Sequence, residues 1–330
     1  APARQALRKA GLPDSVGAVT LNKVCGSGMQ AVLFARQHIL AGEADCIIAG
    51  GMESMSQTPH LLKNSRNGYR LGDQKIIDSL VHDGLWDPYD NQHMGNCAEQ
   101  CAKKYGFTQA DQDTFAIQSY ERALKSIEAK LFADEIAAVS IASKKETLII
   151  DTDEEPGKGN VQKLPSLKPV FEKDGTITAG NASTLNDGAA ALLVASESAV
   201  KNNNLKPMAK IISTARFSHE PLWFTTAPIG SIKKVLEQAN LKASDIDCYE
   251  INEAFSNVTM AAIKELNLDP AKVNPRGGAV ALGHPIGATG ARLLVTLMHT
   301  LKQNNLKYGV ASLCIGGGEA LAVLIESVAE

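Results

Sequence analysis

The stretch TLNKVCGSGMQAVLFARQHILAGEADCIIAGGMES, residues 20–54, runs through a short apolar strand pattern, a glycine-rich turn, an amphipathic helix and a second apolar strand with two glycines. The segment AKVNPRGGAVALGHPIGATGARLLVTLMHTLKQNNLKYGVASLCIGGGEA, residues 271–320, repeats that order with a longer lead-in. A repeat at this scale indicates a duplicated fold unit whose glycine-rich turns are related by a pseudo-twofold axis. The two turns are therefore expected to face one shared site.

Short apolar strands alternate with amphipathic helices along most of the chain, which predicts an α/β protein with sheets sandwiched between helices. From about residue 55 to 185 the pattern loosens into long polar stretches around one clear helix at 109–130. Long irregular segments in a compact protein favour an inserted functional loop domain. Further elements are predicted as a helix at 27–40 and as strands at 16–22, 44–49, 188–197, 247–251 and 308–313, with another βα series beginning at 205–215.

Composition excludes several classes of function. The 330 residues carry 33 Lys and Arg against 36 Asp and Glu, and the net charge of −3 without a basic run argues against a nucleic-acid partner. No apolar run approaches the ~18 residues of a membrane span, so no membrane partner is expected. Six cysteines without regular spacing fit a reducing compartment better than a disulfide scaffold, and we expect a cytoplasmic protein.

Cys25 lies in NKVCGSG, residues 22–28, at the predicted turn between a strand and a helix. Its sulfur there would lie near the unpaired N–H groups and the positive end of the helix dipole, which stabilise thiolate over thiol. The pattern therefore indicates a nucleophile. The alternative is a buried structural cysteine, and a lone CGSG does not decide between the two.

His284 lies in GHPIGATG, residues 283–290, at the equivalent turn of the other half. Histidine can take a proton near neutral pH, and a cysteine with a histidine is the pair that activates a thiol. A helix cap or a phosphate-cradling loop is the alternative interpretation. The glycine spacing matches neither of the common nucleotide-binding motifs.

Two further motifs follow predicted strands. CIGGG, residues 314–318, places the second thiol, Cys314, beside backbone N–H groups that can hold an oxyanion. NEAF, residues 252–255, supplies the fixed amide of Asn252. Each motif alone is more often structural, but two thiols, a histidine, an asparagine and glycine-rich turns at strand ends together favour a site that handles acyl groups.

In chain order, NKVCGSG, NEAF, GHPIGATGAR and CIGGG resemble the four active-site loops of the thiolase family, and TAGNASTLNDGAAA at 178–191 resembles its CoA-pocket segment. The resemblance covers essentially the whole chain and points to the short-chain acetyl-CoA acetyltransferase type. It implies duplicated βαβαβαββ halves in a five-layered α-β-α-β-α sandwich, with two mixed five-stranded sheets. It also implies a loop domain over the CoA site and a homotetramer formed as a dimer of dimers.

The resemblance also implies a division of the chain. Family members normally have about 60 further residues before the point at which this sequence starts. Residue 1 is Ala, and APARQALRKAGLP reads as a helix followed by its glycine stop. We therefore expect the family's first strand, helix and strand to be absent. The expected parts are an incomplete N-terminal half at 1–54 plus 186–206, a loop domain at 55–185 and a C-terminal half at 207–330.

The activity implied is reversible condensation of two acetyl-CoA into acetoacetyl-CoA and CoA, or the reverse thiolysis, by a ping-pong path through an acetyl group on Cys25. His284 would take the proton of Cys25, and Cys314 would take the α-proton of the second acetyl-CoA. Asn252, through a water, and His284 would stabilise the enolate oxygen. The N–H groups of Cys25 and Gly316 would form an oxyanion hole. CoA is then a substrate and product, and neither a cofactor nor a metal is expected.

Substrate size is implied by QHMG, residues 92–95, where His93 and Met94 resemble the short-chain type, and by CIGGG instead of the CIGTG of long-chain members. Phe224 is followed by Thr225 instead of proline, which leaves the use of 2-methyl-branched substrates open. The residues that the resemblance places along the CoA pantetheine channel are Leu85, Phe171, Ala179, Ala182, Ser183, Leu185, Ala254 and Phe255. Two alternatives remain: a broad-chain degradative 3-ketoacyl-CoA thiolase, and a non-catalytic thiolase-like protein that binds acyl-CoA or lipid.

Overall fold

The computed structural model describes residues 1–143 and 146–328. Its helices are α1 Pro2–Lys9, α2 Ser27–Leu40, α3 Met94–Tyr105, α4 Gln109–Glu128, α5 Glu155–Lys158, α6 Glu197–Asn202, α7 Ala227–Ala239, α8 Ser256–Leu266, α9 Ala279–Leu282 and α10 Ile286–Gln303. Its strands are β1 Cys46–Ser54, β2 His60–Leu62, β3 Ile76–Asp78, β4 Trp86–Asp87, β5 Gln92–His93, β6 Val139–Ala142, β7 Thr147–Ile150, β8 Asp187–Ala195, β9 Ala209–Ser218, β10 Cys248–Ile251, β11 Tyr308–Ile315 and β12 Glu319–Ser327. Among these helices, none combines the length and the apolar character that a membrane crossing requires.

Two helices, α2 and α10, lie side by side at the centre of the molecule. On one side they pack against the antiparallel pair β1–β8, and on the other against the four-stranded sheet of order β10-β11-β12-β9. Helices α7 and α8 cover the opposite face of that larger sheet around a second apolar cluster. The result is a succession of sheet, helices, sheet and helices, in which both central helices are buried on two sides.

The strand content differs from the two five-stranded sheets that were expected, because the described residues place four strands in one sheet and two in the other. At the free edge of β10, Tyr249 makes only a single parallel bridge with Val273. The chain turns through Pro270–Lys272 just before this bridge, and Pro275, which has no N–H to donate, follows just after it. A fifth strand at this edge is therefore reduced to one bridge.

The predicted strand at 16–22 is wrong, since this segment pairs with no strand in the described part of the chain. Val19 is 84% exposed, so the apolar pattern there does not mark a buried strand. The predicted end of β1 at residue 49 is also wrong, because β1 continues through Gly50 and Gly51 to Ser54. A Cβ on Gly50 would lie 2.3 Å from the carbonyl oxygen of Ala190 on β8, so these glycines permit close packing instead of ending the strand.

Several helix predictions are confirmed. Helix α2 has the predicted bounds, and α4 ends two residues earlier than predicted, before Lys130 at φ +56°. Helix α3 lies in the segment where only α4 was recognised as a clear helix. The side chain of His93 caps its start by accepting the N–H of Gly95 at 3.0 Å, and Gly106 ends it in the left-handed conformation.

The predicted pseudo-symmetry of the two glycine-rich turns is visible in the helix starts. Cys25 stands two residues before the first residue of α2, and His284 stands two residues before the first residue of α10. A Cβ on Gly290 of α10 would lie 2.5 Å from the backbone nitrogen of Met29 on α2. The first turns of both helices are therefore in backbone contact, which brings the two turns to the same end of the central layer.

The close contact between α2 and α10 predicts that a larger residue at position 290 lowers the stability of the fold. Alanine normally stabilises a helix by roughly 0.5–1 kcal/mol relative to glycine. At Gly290 the added methyl would overlap the backbone of α2, so Gly290→Ala is expected to lower the free energy of unfolding by about 1–3 kcal/mol in urea denaturation. The matched control is Gly157→Ala on α5, where a Cβ meets no atom within 4 Å. Equal stability of the two variants would contradict the proposed backbone contact.

Candidate active site

Cys25 lies in a tight turn, Val24–Gly26, immediately before α2. Val24 has φ +49°, a left-handed conformation that is strained for a β-branched residue. The turn is held by Asn22, whose side-chain oxygen accepts the N–H of Val24 at 2.8 Å, and by Ser27, whose hydroxyl donates to the carbonyl of Val24 at 2.8 Å. A Cβ on Gly26 would lie 2.4 Å from Cδ1 of Ile315, so the turn packs closely against the Ile315 side chain, which would have to shift for a larger residue.

The surroundings of Cys25 favour its thiol over its thiolate form. Burial raises the pKa of its thiol to about 11, while a hydrogen bond from the Gly316 N–H acts in the opposite direction and the charge of Glu53 adds to the rise. The helix N-terminus therefore does not suffice to ionise this thiol in the free protein. A base must remove the proton as the sulfur attacks.

His284 provides a neutral base of defined tautomer. Its Nδ1 lies 2.6 Å from the hydroxyl oxygen of Thr289, and that hydroxyl donates to the carbonyl of Pro285 at 2.9 Å. Because the Thr289 hydroxyl uses its one hydrogen in the bond to Pro285, it can only accept a hydrogen bond from His284. This assigns the ring hydrogen to Nδ1 and the lone pair to Nε2. Within the described residues the buried Nε2 has no partner. Burial, aided by the charge of Arg292, lowers the pKa of His284 to about 4.

The backbone of His284 is fixed by contacts with the neighbouring segment 178–191. Its N–H approaches the side-chain oxygen of Asn186 at 3.1 Å and the carbonyl of Thr184 at 3.3 Å. The hydroxyl of Thr184 also donates to Asn186 at 2.9 Å. Gly283 has φ +94°, and a Cβ there would lie 2.2 Å from the same Asn186 oxygen. Asn186 therefore fits against the turn only because residue 283 is a glycine.

Cys314 lies next to the end of β11 and is 1% exposed. Burial raises the pKa of this thiol well above its ordinary value, and the nearby charge of Cys25 adds to the rise. The turn that carries Cys25 packs against Ile315, the residue after Cys314. Gly316, two residues further on, directs its N–H at the sulfur of Cys25, and the sulfur of Met94 lies 3.4 Å from where a Cβ of Gly316 would be.

Asn252 follows β10 and is fully buried, and its N–H donates to the carbonyl of Ser312 at 3.0 Å, two residues before Cys314. Neither the oxygen nor the nitrogen of its side-chain amide has a partner in the described part of the chain. A buried amide without partners costs about 1–3 kcal/mol for each unsatisfied group. The side-chain amide of Asn252 and Nε2 of His284 are therefore free to form hydrogen bonds with a polar ligand or a water molecule.

The predicted pocket residues fall into two sets. One apolar cluster, which includes Cys314, unites Met94, Phe171, Ala182, Phe224, Ala254 and Phe255. His93 joins its edge by stacking on Phe171 with 4.8 Å between ring centroids. Ser183 is tied to the carbonyl of Ala254, to which its hydroxyl donates at 3.0 Å. Leu85, Ala179 and Leu185 lie outside the cluster, and Ala179 and Leu185 are exposed.

The sequence interpretation missed Thr289 and Asn186, which orient His284, and Glu53, whose carboxylate accepts the N–H of Gly287 at 3.0 Å. The signal for Thr289 was present in GHPIGATG, since a residue in the first turn of a helix can reach back to the residue preceding that helix. Nothing local marks Asn186 or Glu53, because their contacts cross between segments far apart in sequence.

Comparisons with known proteins agree with this arrangement. The thiolase N-terminal domain model matches residues 1–198, and the thiolase C-terminal domain model matches residues 205–327. An acetyl-CoA acetyltransferase of Yarrowia lipolytica is 51% identical over 328 residues, covering 99% of this chain and 81% of that protein.

Two solved structures extend the similarity to three dimensions. Human mitochondrial 3-ketoacyl-CoA thiolase superposes with a TM-score of 0.95 at 40% identity, covering 99% of this chain and 83% of that one. Acat5 thiolase from Ascaris suum in complex with coenzyme A superposes with a TM-score of 0.94 at 45% identity and the same coverage. Two domain models that together span nearly the whole sequence, and relatives at this level of identity, decide the assignment: the chain belongs to the thiolase family.

Proposed function

We propose that this protein is an acetyl-CoA C-acetyltransferase that condenses two acetyl-CoA into acetoacetyl-CoA and CoA, and that also runs the reverse thiolysis. The observation that carries the proposal is that the turn with the half-buried thiol of Cys25 packs against Ile315, next to the buried thiol of Cys314, with the Gly316 N–H directed at the sulfur of Cys25. Similarity to the Yarrowia lipolytica acetyltransferase and to a thiolase solved with coenzyme A supports the substrate class.

The first half-reaction loads the enzyme. His284 Nε2 takes the proton from Cys25 as the sulfur bonds to the acetyl carbon, and the C–S bond to CoA breaks. The acetyl oxygen is stabilised by the N–H groups of Cys25 and Gly316, which are in place before the charge develops. Since His284 keeps that proton, the departing CoA thiolate takes its proton from Cys314. The enzyme then carries acetyl-Cys25, a protonated His284 and a thiolate at Cys314.

The second half-reaction uses these charges. The Cys314 thiolate takes the α-proton of a second acetyl-CoA, and the resulting enolate oxygen is stabilised by Asn252, through a water, and by protonated His284. The α-carbon attacks the acetyl carbonyl, the bond to Cys25 breaks, and His284 returns its proton to the leaving sulfur. Two thiols are required because one stays covalently loaded while the other exchanges protons.

The CoA moiety is proposed to run along the segment 178–191, beneath a loop domain at 55–185. The hydroxyl and N–H of Ser183 both hold the carbonyl of Ala254, which supports this segment directly beside Asn252. The clustered aromatic rings of Phe171, Phe224 and Phe255 provide apolar surface of the kind that suits a pantetheine arm.

A short acyl group is favoured by the closure of the pocket around Cys314. His93 stacks on Phe171, and Met94 covers Gly316, so the side of the site next to the reacting thiols is filled by side chains. The broad-chain alternative retains support from the 0.95 TM-score with human mitochondrial 3-ketoacyl-CoA thiolase. Acyl-chain length is therefore the property that separates the two functions.

Acetylation of Cys25 is the direct test. Incubation with acetyl-CoA is expected to add one acetyl group to the peptide that contains Cys25, observed by mass spectrometry, and Cys25→Ser is expected to remove both the adduct and thiolysis of acetoacetyl-CoA. Cys46→Ser is the matched control, because Cys46 is an exposed free thiol on β1. An adduct on another residue of the folded wild-type protein would overturn the proposal, as would no adduct at all.

The pH dependence of loading follows from the pKa of His284. A histidine with the ordinary pKa of 6.5 is protonated below that value and would lose roughly tenfold of its base form by pH 5.5. Because burial lowers the pKa of His284 to about 4, its base form persists through this range. The acetylation rate is expected to stay within about twofold between pH 7 and 5.5. A tenfold fall, with circular dichroism unchanged, would contradict a neutral His284.

A chain-length series tests acyl specificity. The thiolysis kcat/KM for C4 ketoacyl-CoA is expected to exceed that for C10 by about tenfold or more, since the longer chain must displace side chains packed around Cys314. Met94→Ala should reduce that ratio by opening space beside Gly316. Comparable wild-type rates on the two substrates would favour the broad-chain function instead.

A further inference from the structure

Glu253 stands between two residues of the proposed site, Asn252 and Ala254, yet its own side chain contacts other elements. It is 1% exposed, and its carboxylate accepts hydrogen bonds from the Ser119 hydroxyl at 2.7 Å, the Asn274 amide at 2.7 Å and the Val280 N–H at 3.2 Å. These partners belong to α4, to the loop after the Val273 bridge and to α9. The carboxylate thus joins three separate segments beneath the turn that carries Asn252.

The geometry of these partners requires an acceptor at both carboxylate oxygens. Asn274 cannot reverse its amide, because its oxygen accepts the N–H of Ile251 at 2.8 Å and its nitrogen donates to the carbonyl of Ile251 at 2.8 Å. Ser119 is fixed likewise, since its oxygen accepts the N–H of Gly278 at 3.0 Å and its hydrogen is left for Glu253. All three neighbours are donors, so an amide at position 253 would place donor against donor.

Packing leaves this carboxylate no alternative position. A Cβ on Gly278 would lie 2.2 Å from the carboxyl carbon of Glu253, so the backbone of residue 278 is in direct contact with it. On the other side of the turn, the carbonyl of Ala254 receives both hydrogen bonds from Ser183. Glu253 is therefore held in place by its hydrogen bonds and its packing. The side-chain amide of Asn252, by contrast, has no hydrogen-bond partner among the described residues to fix it.

We propose that Glu253 is a positioning residue for the condensation half-reaction, because its clamped carboxylate fixes the turn that aims the unpartnered amide of Asn252 at the enolate. The inference rests on the proposed function. A positioning role for Glu253 predicts that its substitution slows condensation but not loading, whereas a general structural role predicts that both half-reactions slow. Loading of Cys25 uses Cys25, His284, Gly316 and Cys314, and none of these residues is among the hydrogen-bond partners of Glu253 described above.

The test measures the two half-reactions separately in Glu253→Gln. Loading is followed by rapid quench and mass spectrometry of acetyl-Cys25, and condensation by acetoacetyl-CoA formation from the loaded enzyme with a second acetyl-CoA. Loading is expected to stay within about twofold, whereas condensation falls by about tenfold to a hundredfold, the usual effect of a misplaced catalytic group. Ser119→Ala, which removes one donor and keeps the charge, should give a smaller loss confined to condensation.

The matched control is Glu135→Gln, another buried carboxylate, which accepts the Thr296 hydroxyl at 2.9 Å and faces Arg276. It should leave both half-reactions unchanged. Equal losses in both half-reactions, or none in either, for Glu253→Gln and Ser119→Ala would overturn the inference while leaving the proposed function intact. If wild-type protein forms no acetyl-Cys25, the proposed function fails first, and the inference falls with it.

Discussion

The contact between the first turns of α2 and α10 is the constraint on which the site depends. Because Gly28 and Gly290 have no side chains, the two helix backbones approach to a distance at which a methyl group would overlap the opposite chain. The residues just before each helix, Cys25 and His284, are thereby carried to the same end of the central layer. Two sheets enclose the helix pair, so the position of both turns is set by the packed core instead of by flexible loops.

Burial then determines the electrostatics of the site. It raises the pKa of both thiols and lowers that of His284, so these three groups favour their neutral forms. Neutral groups avoid the cost of burying separated charges. Under the proposed mechanism, charge develops only when a thioester is bound, where the N–H of Gly316 and the amide of Asn252 would stabilise it.

The sequence predicts those features of the fold and of the candidate site that depend on neighbouring residues. The bounds of α2 follow from its amphipathic pattern, and four motifs at strand or helix ends identify Cys25, Asn252, His284 and Cys314. What it misses depends on distant contacts. The segment at 16–22 has a strand pattern, but it pairs with no strand among the described residues. The sequence predicts a strand end before Gly50, because the close contact of Gly50 with β8 depends on residues far away in sequence. The raised pKa of the Cys25 thiol is missed for the same reason, since the burial that causes it comes from remote segments.

The strained turn at Val24 has a consequence for how the chain matures. A valine with φ +49° holds its conformation only while its surroundings enforce it, and those surroundings include Ile315 and α10, from the opposite end of the sequence. During synthesis this turn cannot be enforced until α10 and β11, which follow it far along the chain, have also been made. Cys25 therefore takes up its position in the candidate site only after α10 and β11 have packed against its turn.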